Sequence, residues 1–490
     1  MLFNSISFLI FFPIVTLLYF LLPYKYRWVH LLVASCYFYM TFVPIYILIL
    51  GGTIVIDYVA GILIEGSSGR EKKRYLVFSL VANIGALAVF KYYNFFIDNV
   101  NEILQILHWN TALPYFEILL PIGLSFHTFQ AMSYTIEVYR GNQKAERHIG
   151  IYALYVMFYP QLVAGPIERP QNILYQFYKK IVFDYKDVTY GLKKMAWGFF
   201  KKLVIADRLA YMVDIVYDQP REYTALPLLL ASVFFAFQIY CDFSGYSDIA
   251  IGAARVMGFR LMTNFNTPYF ATSVSDFWRR WHISLSTWFR DYLYIPMGGS
   301  RVPYIRWCFN NMTVFLISGF WHGASWTYII WGGLHGAFII VEKGINKIFK
   351  PVHVPFFLLV LRWFITFTLV CFAWIFFRAS SYSDAIFIVK TLFTGIATDI
   401  KLIYTNITEG NGVIINSSFV KWSVSKSDYF WSLGVIGGLL VIEFVNRKKN
   451  LINFISTKPF VVRYLFYITL LFAILFFQKD SDQQFIYFQF

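Results

Sequence analysis

Charge is what this chain has least of. Asp, Glu, Lys and Arg make up only 14% of its 490 residues, against roughly 25% in an ordinary soluble domain. With 58% hydrophobic residues and a mean hydropathy of +0.56, the chain has too little polar surface to cover a water-soluble globule, which excludes the soluble enzyme classes. Acidic residues are scarcer still, 27 against 42 Lys and Arg, for a formal net charge of +15. In a soluble protein that excess would suggest nucleic acid. Here the basic residues cluster in loops between apolar runs, so membrane orientation and anionic headgroups account for them, and no nucleic-acid partner is expected. Cysteine is also sparse: Cys36, Cys241, Cys308 and Cys371 lie far apart without a CxxC, which argues against a disulfide framework and against a metal site. A Walker loop, an HExxH and a local Ser-His-Asp signature are all missing.

What the chain does have is long apolar runs, near 6–22, 28–50, 75–97, 118–138, 149–165, 227–257, 311–342, 356–377, 430–446 and 461–478, with shorter ones near 52–64 and 386–397. These predict an all-α polytopic membrane protein of roughly ten to twelve transmembrane helices, with shorter interfacial or re-entrant pieces. No linker, soluble domain or repeat divides it, so residues 1–490 are expected to form a single integral-membrane domain. The first run has no basic residue ahead of it and no small-residue cleavage site before Lys25, so it is expected to be retained as a helix. Lys25 and Arg27, Arg70 to Arg74, Arg140 to Arg147, Lys343 to Lys350 and Arg447 to Lys449 fall in alternate loops, counting the short run at 52–64 as a span. Placing them in the cytoplasm predicts both termini outside.

Histidine is rare too, eight in all, and one of them stands in the most distinctive stretch, Ser318-Gly319-Phe320-Trp321-His322-Gly323-Ala324-Ser325-Trp326, followed by Trp331-Gly332-Gly333-Leu334-His335-Gly336. An imidazole in bilayer-depth sequence is costly unless it is partnered or lines a wet cavity. His322 is therefore either a polar contact between helices or a functional group. On one unbroken helix His335 would lie about 20 Å from it, which rules out a dyad in that geometry.

Upstream, Asp276 to Asp291 reads as one amphipathic helix with Arg279, His282, Ser286 and Arg290 on a common face and Asp276–Arg280 as an i,i+4 pair. Such a stripe either lies on the membrane surface or walls a polar funnel leading to His322, in which case His282 is its more plausible companion. Asp242 and Asp248 interrupt an apolar helix six residues apart, on different faces, and Gly245 is placed to break the helix between them. Each reads as a structural carboxylate bonded to Ser, Tyr or Arg. Three prolines and a glycine in 160–170 end a helix, with Glu168 and Arg169 expected at the surface. The lysine pairs 179/180, 193/194 and 201/202, set among aromatics, suggest interfacial amphipathic helices.

Taken together, Trp278-Arg279-Arg280-Trp281-His282-Ile283-Ser284, Trp288-Phe289-Arg290-Asp291-Tyr292-Leu293-Tyr294, Phe320-Trp321-His322-Gly323 and Trp331-Gly332-Gly333-Leu334-His335-Gly336 closely resemble the membrane-bound O-acyltransferase family. The branch resembled is that of the alginate O-acetyltransferases, also through Met1 to Ser5, Leu120 to Phe126, Ala164 to Pro166, Asp242 to Asp248 and Phe485 to Phe490. His127 departs from the family's pattern, which often has a phenyl or phenol side chain there. The resemblance implies a helical fold around a central funnel in a bacterial inner membrane. Acetyl would move from cytoplasmic acetyl-CoA, a substrate rather than a bound cofactor, to an extracytoplasmic polysaccharide such as alginate. It further implies His322 and His282 as the catalytic pair and a periplasmic or membrane-anchored acetyltransferase as partner. His322 would act as general base or carry the acetyl briefly. Arg279, Arg280, Arg290, Asp242, Trp321 and Trp326 are expected at donor, oxyanion or orienting positions. A peptidoglycan O-acetyltransferase or a D-alanyl transferase of the same family is an alternative reading. From other classes, a non-catalytic scaffold or a transporter of a polysaccharide export complex also fits, although the inverted repeats of a transporter are not seen.

Overall fold

The computed structural model describes residues 1–109, 111–116, 121–348, 355–408, 426–447, 450–477 and 485–486. Leu120, Lys350, Lys448, Lys449, most of the polar stretch 399–428 and the closing residues 487–490 lie outside the described residues. Every regular element among the described residues is helical, as expected where no water is present to satisfy an open backbone. Among the described residues, six helices are long and apolar enough to cross a membrane: Tyr46–Gly66, Gly69–Ile106, Ala225–Val256, Phe356–Arg378, Asp428–Asn446 and Phe460–Phe477. Ile6–Leu21 is a shorter apolar helix.

Two of the apolar runs read as spans are built differently. Residues 149–165 form two short helices, Ile149–Met157 and Tyr159–Leu162, in which nearly every side chain is buried. The break falls at Phe158, where Pro160 opens the second helix because it has no N–H to continue the first. Residues 311–342 belong to two helices, Tyr304–His322 and Trp326–Ile348, because Gly323 is extended (φ −161°, ψ 150°) and turns the chain back. Close backbone approach holds this hairpin together: a Cβ on Gly319 would overlap the Tyr328 carbonyl, and one on Gly332 would overlap that of Phe315.

Ala225–Val256, by contrast, runs unbroken for 32 residues, and 78% of its apolar window is buried, against 6% for Phe460–Phe477. Gly245 does not break it. That glycine lets the Gly198 carbonyl approach to where a Cβ would stand 2.9 Å away.

The chain groups into two compact units, residues 1–196 with 246–263 and residues 197–245 with 264–490. In the first, the apolar core holds a buried polar cluster in which Asp57 accepts from Ser79 Oγ (2.6 Å) and Asn83 Nδ2 (2.9 Å). Asp248 pairs with Lys194 at 2.6 Å. Glu168 is fully buried rather than at the surface: its carboxylate accepts from the Met262 N–H and from Asn172 Nδ2, and burial pushes its carboxyl up to about 7.

The second unit has its own buried ion network. Lys202 lies 2.8 Å from Asp207 and 2.7 Å from Asp242, all three side chains at most 6% exposed. The second oxygen of Asp242 accepts the Ile486 N–H at 2.7 Å, and Lys201 donates to Ser244 Oγ at 2.9 Å. Lys201 and Lys202 therefore do not lie in the interface. They neutralise and bond groups that the core would otherwise strand.

Candidate functional site

The stretch 276–291 is two helices, not one. Ser273 caps Val274–Arg280 by accepting the Asp276 N–H (3.0 Å), the predicted Arg280–Asp276 pair forms at 2.9 Å, and the helix stops. His282 then takes a left-handed conformation, φ 44° and ψ 54°, before Ile283–Phe289 begins. The segment at 264–266 imposes this break. Asn264 O accepts the Ile283 N–H (2.9 Å), its Oδ1 takes the Ser284 N–H (3.2 Å) and Oγ (2.9 Å), and Asn266 donates to Arg280 O (2.9 Å). A positive φ is uncommon outside glycine and costs on the order of 1 kcal/mol or more. What it achieves here is to swing His282 off the polar stripe into the core.

The imidazole of His282 is completely buried, edge-on to Phe243 (4.6 Å between ring centres) and 6.3 Å from Trp321. Burial holds it well below the ordinary histidine value, in the neutral form. Arg279, Ser286 and Arg290 stay behind on the stripe, so the shared face predicted for these three with His282 loses its histidine.

His322 ends its helix at the tip of the hairpin and is 4% exposed. Its ring meets Trp321 at 4.8 Å, Trp331 at 4.9 Å and Phe377 at 5.5 Å, each close to edge-on. Trp321 thus stands between the two predicted catalytic imidazoles. His335 is much nearer than an unbroken helix would allow, because the turn at Gly323 folds His322 back onto Trp331, whose ring also lies 5.1 Å from His335 one turn along the same helix. Trp278 Nε1 donates to His335 Nδ1 at 3.2 Å. Trp331 Nε1 and His335 Nε2 are buried without a protein partner among the described residues.

A cavity of 630 Å³ opens beside this aromatic cluster. Arg279, Ser286 and Arg290 line one side, and Asn311 and Ser318 come from the hairpin. Ser318 lies one helical turn before His322, and His322 itself is not among the lining residues. Arg290 pairs with the adjacent Asp291 at 2.8 Å, and Arg279 donates to Ser275 O at 3.3 Å.

The remaining predicted residues lie elsewhere. Arg280 is held by Asp276 and is not in the lining. Asp242 is committed to Lys202 and the Ile486 N–H. Trp326 is 55% exposed at the start of its helix. Reading the sequence missed Ser318 as cavity lining and His335 as a neighbour of the site. The signal available for both was Gly323, whose turn folds the two histidine-bearing segments together.

Comparison with known proteins gives three kinds of match. The model of the MBOAT, membrane-bound O-acyltransferase, family matches residues 148–382, which include the hairpin and both arginines of the cavity. A Pseudomonas aeruginosa protein named "Probable alginate O-acetylase AlgI" is 40% identical over 394 residues, covering 79% of this chain and 73% of the relative. The Helicobacter pylori "Peptidoglycan O-acetyltransferase" is 37% identical over 389 residues, 74% and 72% of the two chains. The Bacillus subtilis "Teichoic acid D-alanyltransferase" is 29% identical over 275 residues, 53% and 69%.

Proposed function

Because this chain belongs to the membrane-bound O-acyltransferase family and is an O-acyltransferase, we propose that it takes acetyl from cytoplasmic acetyl-CoA for O-acetylation of an extracytoplasmic polysaccharide of the alginate kind, with His322 at the point of transfer. The relatives named for alginate and peptidoglycan O-acetylation support the acetyl group and the glycan acceptor. The observation that carries the donor side is the cavity with Arg279 and Arg290 on its wall and Ser318 one turn from His322. Guanidinium groups suit the phosphates of coenzyme A, because planar paired donors match phosphate oxygens.

In the reaction an imidazole nitrogen of His322 takes the proton of the acceptor hydroxyl as its oxygen attacks the thioester carbonyl. The new C–O bond forms, the C–S bond breaks, and the departing thiolate recovers a proton. The Trp331 N–H, buried beside His322, is a donor suited to the carbonyl oxygen as charge builds on it. His282 and Trp321 act as positioning groups packed behind His322. The acceptor is a glycan hydroxyl, or that of a periplasmic or membrane-anchored acetyltransferase that completes delivery.

In membrane vesicles supplied with labelled acetyl-CoA, Arg279→Gln and Arg290→Gln are each expected to raise the KM for acetyl-CoA roughly tenfold, as loss of one charged hydrogen bond does, with kcat little changed. An unchanged KM in both variants would remove the cavity from the donor route. The same reading sets the orientation, N-terminus and C-terminus outside, since coenzyme A phosphates do not cross a bilayer and basic loops favour the cytoplasm. A cysteine placed at Lys72 is expected to react with an impermeant maleimide only after the cells are opened. Labelling in intact cells would reverse the assignment.

A further inference from the structure

The first unit contains a second cavity, of 240 Å³, whose wall carries three cations, Lys25, Arg27 and Lys179, and no carboxylate. Arg27 is engaged in structure: its guanidinium donates to the carbonyls of Leu22 (3.1 Å), Phe20 (3.3 Å) and Ile181 (2.6 Å) and lies 5.0 Å from the centre of the Tyr19 ring. It thereby ties the 181 loop to the end of the Ile6–Leu21 helix. The lysines are different. Both are exposed, Lys25 over the Tyr26 ring (4.8 Å) and Lys179 over Tyr175 (4.4 Å), and among the described residues neither is paired with a carboxylate.

Two further groups lie in and behind the wall, a histidine and a carboxylate. His148 Nδ1 accepts the N–H groups of Gly150 (3.1 Å) and Ile151 (3.3 Å), which leaves Nε2 as the donor. Glu146, which is not in the wall, is a carboxylate close behind it, and it is occupied in accepting the Tyr178 hydroxyl (2.6 Å) and the backbone N–H of His148 (2.8 Å). The hollow therefore offers positive charge and N–H donors, the chemistry that holds a phosphate.

Its flanks are apolar and uncovered. Val182 and Phe183, directly after Ile181, are 73% and 57% exposed, and Leu17 and Leu21 on the helix leading to Lys25 are 61% and 70% exposed. A water-soluble phosphate ester would have no use for those side chains. Lipid tails would, and basic hollows beside membrane helices are where anionic headgroups are held. We infer that this hollow binds the headgroup phosphate of an anionic phospholipid, with Lys25 and Lys179 on the phosphate and the acyl chains along Leu17, Leu21 and Phe183.

The test uses the full chain purified in detergent, with phosphatidylglycerol, phosphatidylcholine and glycerol 3-phosphate as probes and native mass spectrometry as readout. The wild type is expected to retain phosphatidylglycerol over phosphatidylcholine. In Lys25→Gln/Lys179→Gln that preference falls on the order of 20-fold, from about fivefold for each lysine near a membrane surface, while Lys25→Arg/Lys179→Arg keeps it. Val182→Ser/Phe183→Ser lowers retention of the lipid. Equal retention of both lipids by the wild type, or an undiminished preference in the glutamine variant with an unaltered melting temperature, overturns the inference. Glycerol 3-phosphate displacing the lipid at equal concentration also overturns it, in favour of a soluble phosphate ester.

Discussion

Replacing His322 by alanine is expected to lower acetyl transfer by at least 10²- to 10⁴-fold, the range over which a positioned base accelerates proton transfer, while the protein remains folded in the membrane. The ring is held by aromatic edges, Trp321, Trp331 and Phe377, and two of these continue to pack without it: Trp331 still meets Phe377 at 5.1 Å and stacks on Trp374 at 5.5 Å. His322→Gln retains most of the volume and is expected to be as inactive as alanine, which separates chemistry from packing. Normal acetyl content of the surface polysaccharide in either variant would end the assignment. Quenching the wild type after exposure to labelled acetyl-CoA without acceptor distinguishes the roles, since label on His322 would make it a carrier rather than a base.

Replacing Lys202 by methionine is expected to destabilise the fold by about 3–5 kcal/mol, the usual consequence of stranding buried charge. Two carboxylates lose their shared counter-ion at once, Asp207 at 2.8 Å and Asp242 at 2.7 Å. The expected result is a large fall in melting temperature in detergent and little protein in the membrane. Combining Lys202→Met with Asp207→Asn and Asp242→Asn removes all three charges and is expected to recover much of the loss, because a buried ion network is worth little over a neutral replacement. An unchanged melting temperature for the single variant would contradict this account. A further variant decides what Asp242 does: if Asp242→Asn alone lowers transfer without lowering stability, the carboxylate belongs to the chemistry and not to the scaffold.

The helical, membrane-embedded class was legible from composition, since a chain with so little charge has only helices or closed barrels open to it. The family was legible too, because its motifs are local strings such as Trp278 to Ser284 and Phe320 to Gly323. What escaped reading depends on partners distant in sequence. The helix break at His282 is set by Asn264 and Asn266, and no pattern within 276–291 announces it. Asp242 finds Lys202 forty positions earlier, so its role could not be read from the Asp-Phe-Ser-Gly string around it. Gly245 misled for a related reason: glycine signals both a break and a close approach, and only the neighbouring Gly198 carbonyl decides between them. At Gly323 the same ambiguity resolved the other way, and a pair of histidines set apart on a straight helix became neighbours across one indole.

The contact between Gly319 and Gly332 also bears on the order in which the site is assembled during synthesis. The two residues are close in sequence and their backbones touch, so the hairpin has little chain entropy to lose on closing and can form as soon as its second arm has left the ribosome. His322 is then already at the tip, with Trp331 against it. Phe377 and Trp374 belong to the next helix, Phe356–Arg378, and at ordinary rates of elongation they follow roughly one to six seconds later. During that interval the imidazole has one wall missing. The nascent chain carries a half-built pocket, and a chaperone or insertase that shelters the open side of that hairpin would act on this interval.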